Sequence, residues 1–232
     1  MNVKIMPHPV FRDIYKAILE DGAERIATKN LTPGRNVYGE RLIQIDGEEY
    51  RIWDPFRSKL AAAILKGMKR LPIKKNSKVL YLGAASGTTA SHVSDIVGEG
   101  GYVYCIEFSP RSIRDLIDNV CRFRINMAPI LADARFPSRY MTLVSKVDAI
   151  YCDIAQPEQA RILADNAKIF LKKGCWIMLA VKARSIDVTK EPSEIYEREI
   201  DVLRREGFKI SEVINLEPYE KDHAMIIAQS KA

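Results

Sequence analysis

The chain has 232 residues, of which 47% are hydrophobic and 28% are charged, a composition typical of a globular protein with a large buried core. It has no run of about 18 apolar residues, and residues 1–4 lack the apolar segment of a signal peptide, so we expect no membrane span and a cytoplasmic location. The net charge of +6 is compatible with a nucleic-acid partner but does not require one.

The four cysteines predict neither a metal site nor disulfides. Cys105, Cys121, Cys152 and Cys175 show no C-x-x-C spacing, and all except Cys121 lie inside apolar runs typical of strands. Buried free thiols in a reducing compartment are therefore expected.

Residues 1–54 predict a small antiparallel β module. Two Asp-Gly pairs, Asp21-Gly22 and Asp46-Gly47, each separate strand-like runs, and this pairing is a strong hairpin signal because the turn requires positive φ. The predicted strands are 11–19, 25–28, 41–45 and 50–53. Because so small a sheet is marginal alone, we assign it as a module preceding a larger domain at 55–232.

From residue 55 onward the pattern predicts a mostly parallel sheet with helices on both faces. A helix over 57–69 precedes strands at 78–82, 102–108, 127–133, 147–153, 175–182, 208–216 and 223–231. Further helices are predicted at 88–97, 110–123, 156–171 and 192–206. Only residues 217–222 separate the last two strands, too few for a crossover, so that pair must be antiparallel. Seven strands with this ending are typical of Rossmann-like methyltransferases rather than nicotinamide dehydrogenases.

The residues at the carboxyl ends of these strands predict a nucleoside site, because ligands of open α/β sheets bind there. Glu107 can accept hydrogen bonds from both ribose hydroxyls, and Asp133 from an exocyclic adenine amine. Phe108 or Ala134 would lie against the adenine ring. The fourth strand contributes Asp153–Gln156, of which Asp153 and Gln156 are assigned to the cofactor, and the fifth ends at Lys182.

The turn after the first parallel strand, Gly83 to Thr89, completes the predicted cofactor site. Gly83, Ala85 and Gly87 depart from the G-x-G-x-x-G dinucleotide pattern, which an adenosine ligand without a pyrophosphate tolerates. Thr88 and Thr89 would donate to the ligand or cap the following helix. For Asp133, an Asx turn is the competing interpretation.

Several segments resemble the fibrillarin family, and together they run from near the N-terminus to the end of the chain. They are Tyr38–Arg41, Trp53–Ala63, Tyr81–Thr89, Asp153–Pro157, Val181–Asp187 and Pro218–Ala224. Without the Gly/Arg-rich tail of eukaryotic members, the chain is similar to the archaeal type. The resemblance implies S-adenosylmethionine-dependent 2′-O-methylation of ribose in rRNA, and in tRNA as well. It also implies a box C/D-type ribonucleoprotein with a guide RNA, a target RNA, a Nop-type scaffold protein and a kink-turn-binding ribosomal-type protein.

The same resemblance implies a catalytic set of Lys59, Asp153, Lys182 and His223. The topology is compatible with it, because an antiparallel strand that starts at His223 begins where its parallel neighbours end. Lys182 is the candidate base for the ribose hydroxyl, with Lys59 as a neighbouring cation. Asp153 would orient Lys182 or the hydroxyl and contact the methionine part of the cofactor, and His223 would position the substrate or relay a proton.

The residues leave two other functions open. The protein could methylate a base, a protein side chain or a small molecule, although Asp153–Gln156 differs from the Asn/Asp-Pro-Pro-aromatic motif of base methyltransferases. It could also be a largely structural component of a ribonucleoprotein that is inactive alone.

The sequence also predicts where several other side chains lie. His8 and His92 are predicted at the surface, Trp53, Tyr81 and Trp176 in the core, and Arg57, Arg135 and Arg184 in solvent or on RNA phosphates.

Overall fold

The N-terminal part of the chain folds into a five-stranded antiparallel sheet. In the computed structural model, which describes residues 3–231, its order is β1-β2-β3-β5-β4. The strands are β1 Lys4–Pro7, β2 Tyr15–Ile18, β3 Glu24–Lys29, β4 Leu42–Ile45 and β5 Glu48–Trp53. Both predicted hairpins are confirmed, and Gly22 and Gly47 have φ of 82° and 80° in their turns. The prediction missed β1, an edge strand that tolerates Pro7.

The rest of the chain forms the predicted Rossmann-like sheet. Its seven strands lie in the order β11-β12-β10-β9-β6-β7-β8, and β12 is antiparallel to both of its neighbours. The strands are β6 Lys78–Leu82, β7 Tyr102–Glu107, β8 Met127–Leu131, β9 Val147–Cys152, β10 Leu171–Lys182, β11 Phe208–Asn215 and β12 His223–Ser230. The α-helices are α1 Lys59–Leu65, α2 Thr88–Val97, α3 Pro110–Asn119, α4 Gln159–Phe170, α5 Ala183–Ile186 and α6 Pro192–Arg205. Within residues 3–231, no helix is both long and apolar enough to cross a membrane.

Local capping corrects the predicted boundaries. The helix predicted over 57–69 begins only at Lys59, because Ser58 is its N-cap and its Oγ accepts a hydrogen bond from the Ala61 amide at 3.3 Å. The helix predicted over 110–123 ends at Asn119 and is followed by a 3₁₀ turn, Cys121–Phe123. β7, β8 and β9 each end one or two residues earlier than predicted, so that Phe108, Asp133 and Asp153 lie in the loops that follow these strands.

Apolar side chains fill both faces of the large sheet. The N-terminal sheet contributes Ile26 and Trp53 to the core that also contains Leu60 and Tyr81. Trp53 and Tyr81 are buried as predicted, whereas Trp176 is only partly buried, at the start of the regular part of β10. The domain boundary at residue 54 stays a prediction.

A buried ionic network joins the two sheets. The Asp95 carboxylate, on α2, is 2.8 Å from Arg51 Nη1 on β5 and 2.6 Å from Arg124 Nη1. Arg51 also contacts Glu40 Oε1 at 2.6 Å, and these four side chains are at most 1% exposed. Two guanidinium groups thus face two carboxylates, which compensates the charges in the interior.

His92 belongs to this network, so its predicted surface position is wrong. Its Nδ1 lies 2.7 Å from Thr28 Oγ1, which donates to Asp95 Oδ2 at 2.7 Å. Because the single hydroxyl hydrogen of Thr28 goes to the carboxylate, Nδ1 of His92 must be the donor. Nε2 then accepts from the Tyr38 hydroxyl at 2.8 Å, and the ring stacks on Trp53. The imidazole is therefore fully hydrogen-bonded in its neutral form.

We expect acid to destabilise the fold through His92. Burial lowers the pKa of His92 well below 6.5 in the folded protein, whereas the unfolded chain protonates it near that value. Below this pH the unfolded chain binds more protons, so the free energy of unfolding falls as pH falls, by up to about 1.4 kcal/mol per pH unit. Urea titrations at about pH 7.5 and about pH 5.5 measure the loss. An equally steep pH dependence in His92→Gln would contradict this origin.

Candidate active site

The turn that follows β6 lies against the neighbouring strand end. Gly83 has φ of 82°, and a Cβ there would lie 2.6 Å from the Asp153 carbonyl oxygen. Gly87 has φ of 95° and caps α2, where a Cβ would lie 2.7 Å from Leu116 Cδ1. Both positions therefore require glycine for conformation and for space.

A cavity of about 380 Å³, here called the strand-end cavity, opens at the carboxyl ends of β6, β7, β8 and β9. Eight of the predicted cofactor residues line it: Gly83, Ala85, Glu107, Phe108, Asp133, Ala134, Asp153 and Gln156. Sequence reasoning did not assign the other lining residues to the cofactor: Ile106, Ser109, Ser112, Ala132, Arg135, Ile154, Ala155 and Lys182. Of these, Ser109 could have been recognised from the sequence, because a serine that follows a strand and precedes a proline is a typical helix N-cap.

Gly87, Thr88 and Thr89 do not line the strand-end cavity. No threonine caps α2, since its N-cap is Gly87. Thr89 is buried instead, and its hydroxyl donates to Ser58 Oγ at 2.8 Å. This bond joins the start of α2 to the start of α1, where Lys59 follows. A direct part for these residues in cofactor binding stays a prediction.

Glu107 lies at the back of the strand-end cavity. Its Oε2 accepts a hydrogen bond from the Ala85 amide, and its Oε1 accepts one from the Ser109 amide, each at 2.9 Å. The side chain thereby connects the turn after β6 with the turn after β7. The next residue, Phe108, is 68% exposed and also lines the cavity.

Asp133 also lines the strand-end cavity and forms an Asx turn, the competing interpretation of this residue. Its Oδ1 accepts from the Arg135 amide at 2.9 Å, and its Oδ2 accepts from the Arg135 guanidinium at 2.6 Å. These hydrogen bonds hold the pKa of Asp133 below its ordinary value, so it is a carboxylate at neutral pH. Arg135 therefore lies at the strand-end cavity, paired with Asp133.

Lys59, Asp153 and Lys182 meet at the edge of the cavity, and we call them the lysine–aspartate cluster. Asp153 Oδ1 lies 3.3 Å from Lys59 Nζ and 2.9 Å from Lys182 Nζ. Lys182 Nζ donates a hydrogen bond to the main-chain carbonyl oxygen of Asp153 at 3.1 Å. Its contact with the Asp153 carboxylate is therefore mainly electrostatic. The three side chains are between 14% and 19% exposed, which leaves them accessible to a substrate.

His223, the fourth predicted catalytic residue, is the register partner of Lys182 across the β10–β12 pair. Side chains directly opposite each other on antiparallel strands project from the same face of the sheet. The Lys221 carbonyl oxygen lies 2.6 Å from His223 Nδ1 and can only accept, so Nδ1 carries a hydrogen. The neutral ring therefore offers Nε2 as an acceptor. The fold thus brings all four predicted residues to one edge of the sheet.

Gly83→Ala is expected to disrupt the site more than the same substitution at a glycine with a similar φ elsewhere. The new methyl group would overlap the Asp153 carbonyl, and a non-glycine residue at this φ adds about 1–2 kcal/mol of strain. Gly34→Ala is a matched control, since Gly34 has φ of 81° with open space around it. Isothermal titration with adenosine ligands should show lost binding for Gly83→Ala alone. Equal affinities in the two variants would show that the close contact does not matter.

The chain is similar throughout its length to known proteins. The fibrillarin family model matches residues 5–232. The fibrillarin-like rRNA/tRNA 2′-O-methyltransferase of Methanopyrus kandleri is 56% identical over 229 residues, 99% of this chain and 98% of that protein. The crystal structure of Aeropyrum pernix fibrillarin with natively bound S-adenosyl-L-methionine is 55% identical, with a TM-score of 0.92 over 98% of this chain and 99% of that one. A fibrillarin/Nop5p complex contains a chain that is 43% identical, with a TM-score of 0.85 over 97% and 100% of the two chains. The chain therefore belongs to the fibrillarin family, as its sequence motifs predict.

Proposed function

We propose that this protein transfers the methyl group of S-adenosylmethionine to the 2′-hydroxyl of ribose in rRNA and tRNA. The lysine–aspartate cluster carries the proposal, because it places two ammonium groups and a carboxylate beside a cavity suited to adenosine. The Methanopyrus kandleri relative, a fibrillarin-like rRNA/tRNA 2′-O-methyltransferase, supports it.

The strand-end cavity suits the adenosine part of the cofactor. Its volume of about 380 Å³ is in the range of small-molecule sites, and two of its three carboxylates, Glu107 and Asp133, can accept from ribose hydroxyls and an adenine amine. Phe108 and Ala134 supply apolar surface for the ring, and Gly83 lets the turn after β6 pack against the Asp153 carbonyl. Asp153 and Gln156, where the cavity meets the cluster, would hold the methionine part. When bound, S-adenosylmethionine supplies an electrophilic methyl group on a sulfonium.

The lysine–aspartate cluster would act on the ribose hydroxyl. Asp153 pairs by charge with both lysines in the free enzyme and so positions them. Nζ of Lys182, once it has given up one ammonium proton, takes the proton that the 2′-oxygen loses as it bonds to the methyl group. The Lys59 ammonium stabilises the negative charge that develops on the oxygen. Nε2 of His223 accepts a hydrogen bond from the substrate ribose. Alignment of the oxygen also contributes, because well-placed reactants gain a large effective concentration.

Cysteine chemistry is not available for methylation at cytosine C5. Burial raises the pKa of Cys121 and Cys152 to about 12 and also raises the pKa of Cys105 and Cys175. All four thiols are therefore protonated at neutral pH, whereas attack on a pyrimidine ring needs a thiolate. The ribose hydroxyl remains the acceptor that the lysine–aspartate cluster suits best.

We further infer that the enzyme works within a box C/D-type ribonucleoprotein. The fibrillarin/Nop5p complex supports a Nop-type scaffold partner. A guide RNA, a target RNA and a kink-turn-binding protein complete the proposed particle, in which base pairing selects the nucleotide. A cytoplasmic location also stays a prediction.

Transfer from a methyl-labelled donor tests the proposed function. The assembled particle would be given a target RNA, and a matched RNA with a single 2′-deoxynucleotide at the target position serves as control. Ribose methylation blocks cleavage at the adjacent phosphodiester, so the label should appear in a nuclease-resistant dinucleotide. The deoxy control should remain unlabelled. Label in a mononucleotide with a modified base, or in the deoxy RNA, would contradict the proposal.

A further inference from the structure

A second cavity, about 400 Å³ in volume, lies between the N-terminal sheet and the start of α1. We call it the arginine cavity, because Arg25, Arg41 and Arg57 line it together with the rings of Tyr38 and Phe56. None of these residues belongs to the strand-end cavity or to the lysine–aspartate cluster. The chemistry of its wall is that of an RNA-binding surface, since guanidinium groups suit phosphates and aromatic rings suit bases.

Two of the arginines keep an uncompensated charge. Arg25 Nη1 donates to the Glu24 carbonyl oxygen at 2.9 Å, and Arg57 Nη1 donates to the Tyr38 carbonyl oxygen at 3.1 Å. Within residues 3–231, neither guanidinium forms a salt bridge. Each therefore has further N–H groups and a full positive charge to offer to an anion.

Two other charged groups of the wall form ion pairs with protein partners. Arg41 pairs with Glu20 at 2.6 Å, and the buried Glu40 carboxylate pairs with Arg51. Asp54 Oδ1 accepts from the Phe56 amide at 2.9 Å, and Asp54 keeps its negative charge. Because Arg25 and Arg57 together outnumber Asp54, the arginine cavity keeps an excess of positive charge.

Phe56 connects the arginine cavity to the catalytic edge. The residue is 61% exposed, and its ring packs edge-on against Tyr219, with ring centroids 5.3 Å apart. Phe56 lies in the segment that leads to Lys59, and Tyr219 lies in the loop that leads to His223. The aromatic pair therefore joins the two segments that lead to Lys59 and to His223.

We propose that the arginine cavity binds the substrate RNA strand beside the methylated nucleotide, a step that rests on the function proposed above. Arg25 and Arg57 hold a backbone phosphate, and the exposed Phe56 ring stacks on a base. Neither contact reads a base edge, so the subsite accepts any sequence. This tolerance suits an enzyme whose target is selected by a guide RNA.

Fluorescence anisotropy with a labelled target RNA tests the arginines in the assembled particle. Arg25→Ala and Arg57→Ala should each weaken RNA binding about fivefold and lower the slope of log affinity against log salt by about one. Arg205→Ala is the matched control, because Arg205 is exposed on the last turn of α6, near the opposite edge of the sheet. It should bind RNA as the wild type does. Wild-type affinity and slope in both cavity variants would overturn the proposal.

Phe56 variants separate stacking from charge. Phe56→Ala should weaken RNA binding about tenfold without changing the salt slope, and Phe56→Tyr should restore the affinity. Affinity for S-adenosylmethionine should be unchanged in every variant, which shows that the fold is intact. An unchanged affinity for RNA in Phe56→Ala would exclude the stacking contact.

The binding assay also distinguishes this inference from the proposed function. A wild-type particle that binds RNA at the arginine cavity but labels no ribose would refute the activity and leave the subsite standing. If the ribose is labelled but the Arg25, Arg57 and Phe56 variants bind RNA as tightly as the wild type does, the subsite alone is refuted. A wild-type particle that binds no target RNA would refute both.

Discussion

Lys182→Met is expected to lower kcat for ribose methylation by at least about 100-fold, the usual contribution of a general base. Methionine keeps roughly the length of the side chain but can neither accept the proton nor contact Asp153 by charge. Affinity for S-adenosylmethionine should stay close to that of the wild type, since the methionine side chain does not open the strand-end cavity. Single-turnover rates and isothermal titration measure the two quantities separately.

Lys172→Met is the matched control for this experiment. Lys172 also pairs with an aspartate, Asp148 at 2.6 Å, but it lies at the start of β10, at the opposite edge of the sheet. Its replacement should leave kcat unchanged. If Lys182→Met lost affinity for the cofactor in proportion to its rate, Lys182 would have a structural role and the base would have to be sought at Asp153 or His223.

Asp95→Asn is expected to reduce the free energy of unfolding by about 3–5 kcal/mol, the cost of leaving a buried charge without its partner. The Asp95 carboxylate accepts from Arg51, Arg124, Thr28 and the Leu31 amide. The neutral amide would leave two buried guanidinium groups facing Glu40 alone. It would also present N–H donors to groups that are themselves donors. Urea denaturation measures the loss.

Asp165→Asn provides the comparison, because it makes the same chemical change at the surface. Asp165 pairs with Arg161 and Lys168, and its side chain is 38% exposed. Water screens such pairs, so the expected loss is below about 1 kcal/mol. Equal losses in the two variants would show that burial does not determine how much the Asp95 network contributes to the free energy of unfolding.

The fold was predictable where local signals agree with the global pattern. Alternating strands and helices indicated the parallel sheet, and the Asp-Gly turns indicated the hairpins. The short connection before His223 required β12 to run antiparallel to β11. The same direction of β12 makes it antiparallel to β10 and sets His223 opposite Lys182. The candidate site followed from the same pattern, because loops begin where strands end.

The structural features that the sequence did not predict depend on contacts between residues that are far apart in the sequence. His92 has no local feature that distinguishes a buried histidine from an exposed one, and its partner Thr28 lies 64 residues away. The buried pairs of Asp95 with Arg51 and Arg124 are likewise set by how the two sheets pack. β1 was not predicted, and its Pro7 is compatible with a strand only because β1 lies at the edge of the sheet. The position of Lys59 beside Asp153 came from family resemblance, since a lysine at a helix start is usually a surface residue.

Glu107 illustrates how such a fold prepares for its ligand. A carboxylate has about four lone-pair positions, and among residues 3–231 the amides of Ala85 and Ser109 occupy two of them. Two acceptor positions remain, the number that the hydroxyls of one ribose require. Because folding already fixes the rotamer of this side chain, binding need not spend conformational entropy to order it. Glu107→Gln would replace one acceptor oxygen with a donor, and the mismatch would fall on either an amide or the sugar.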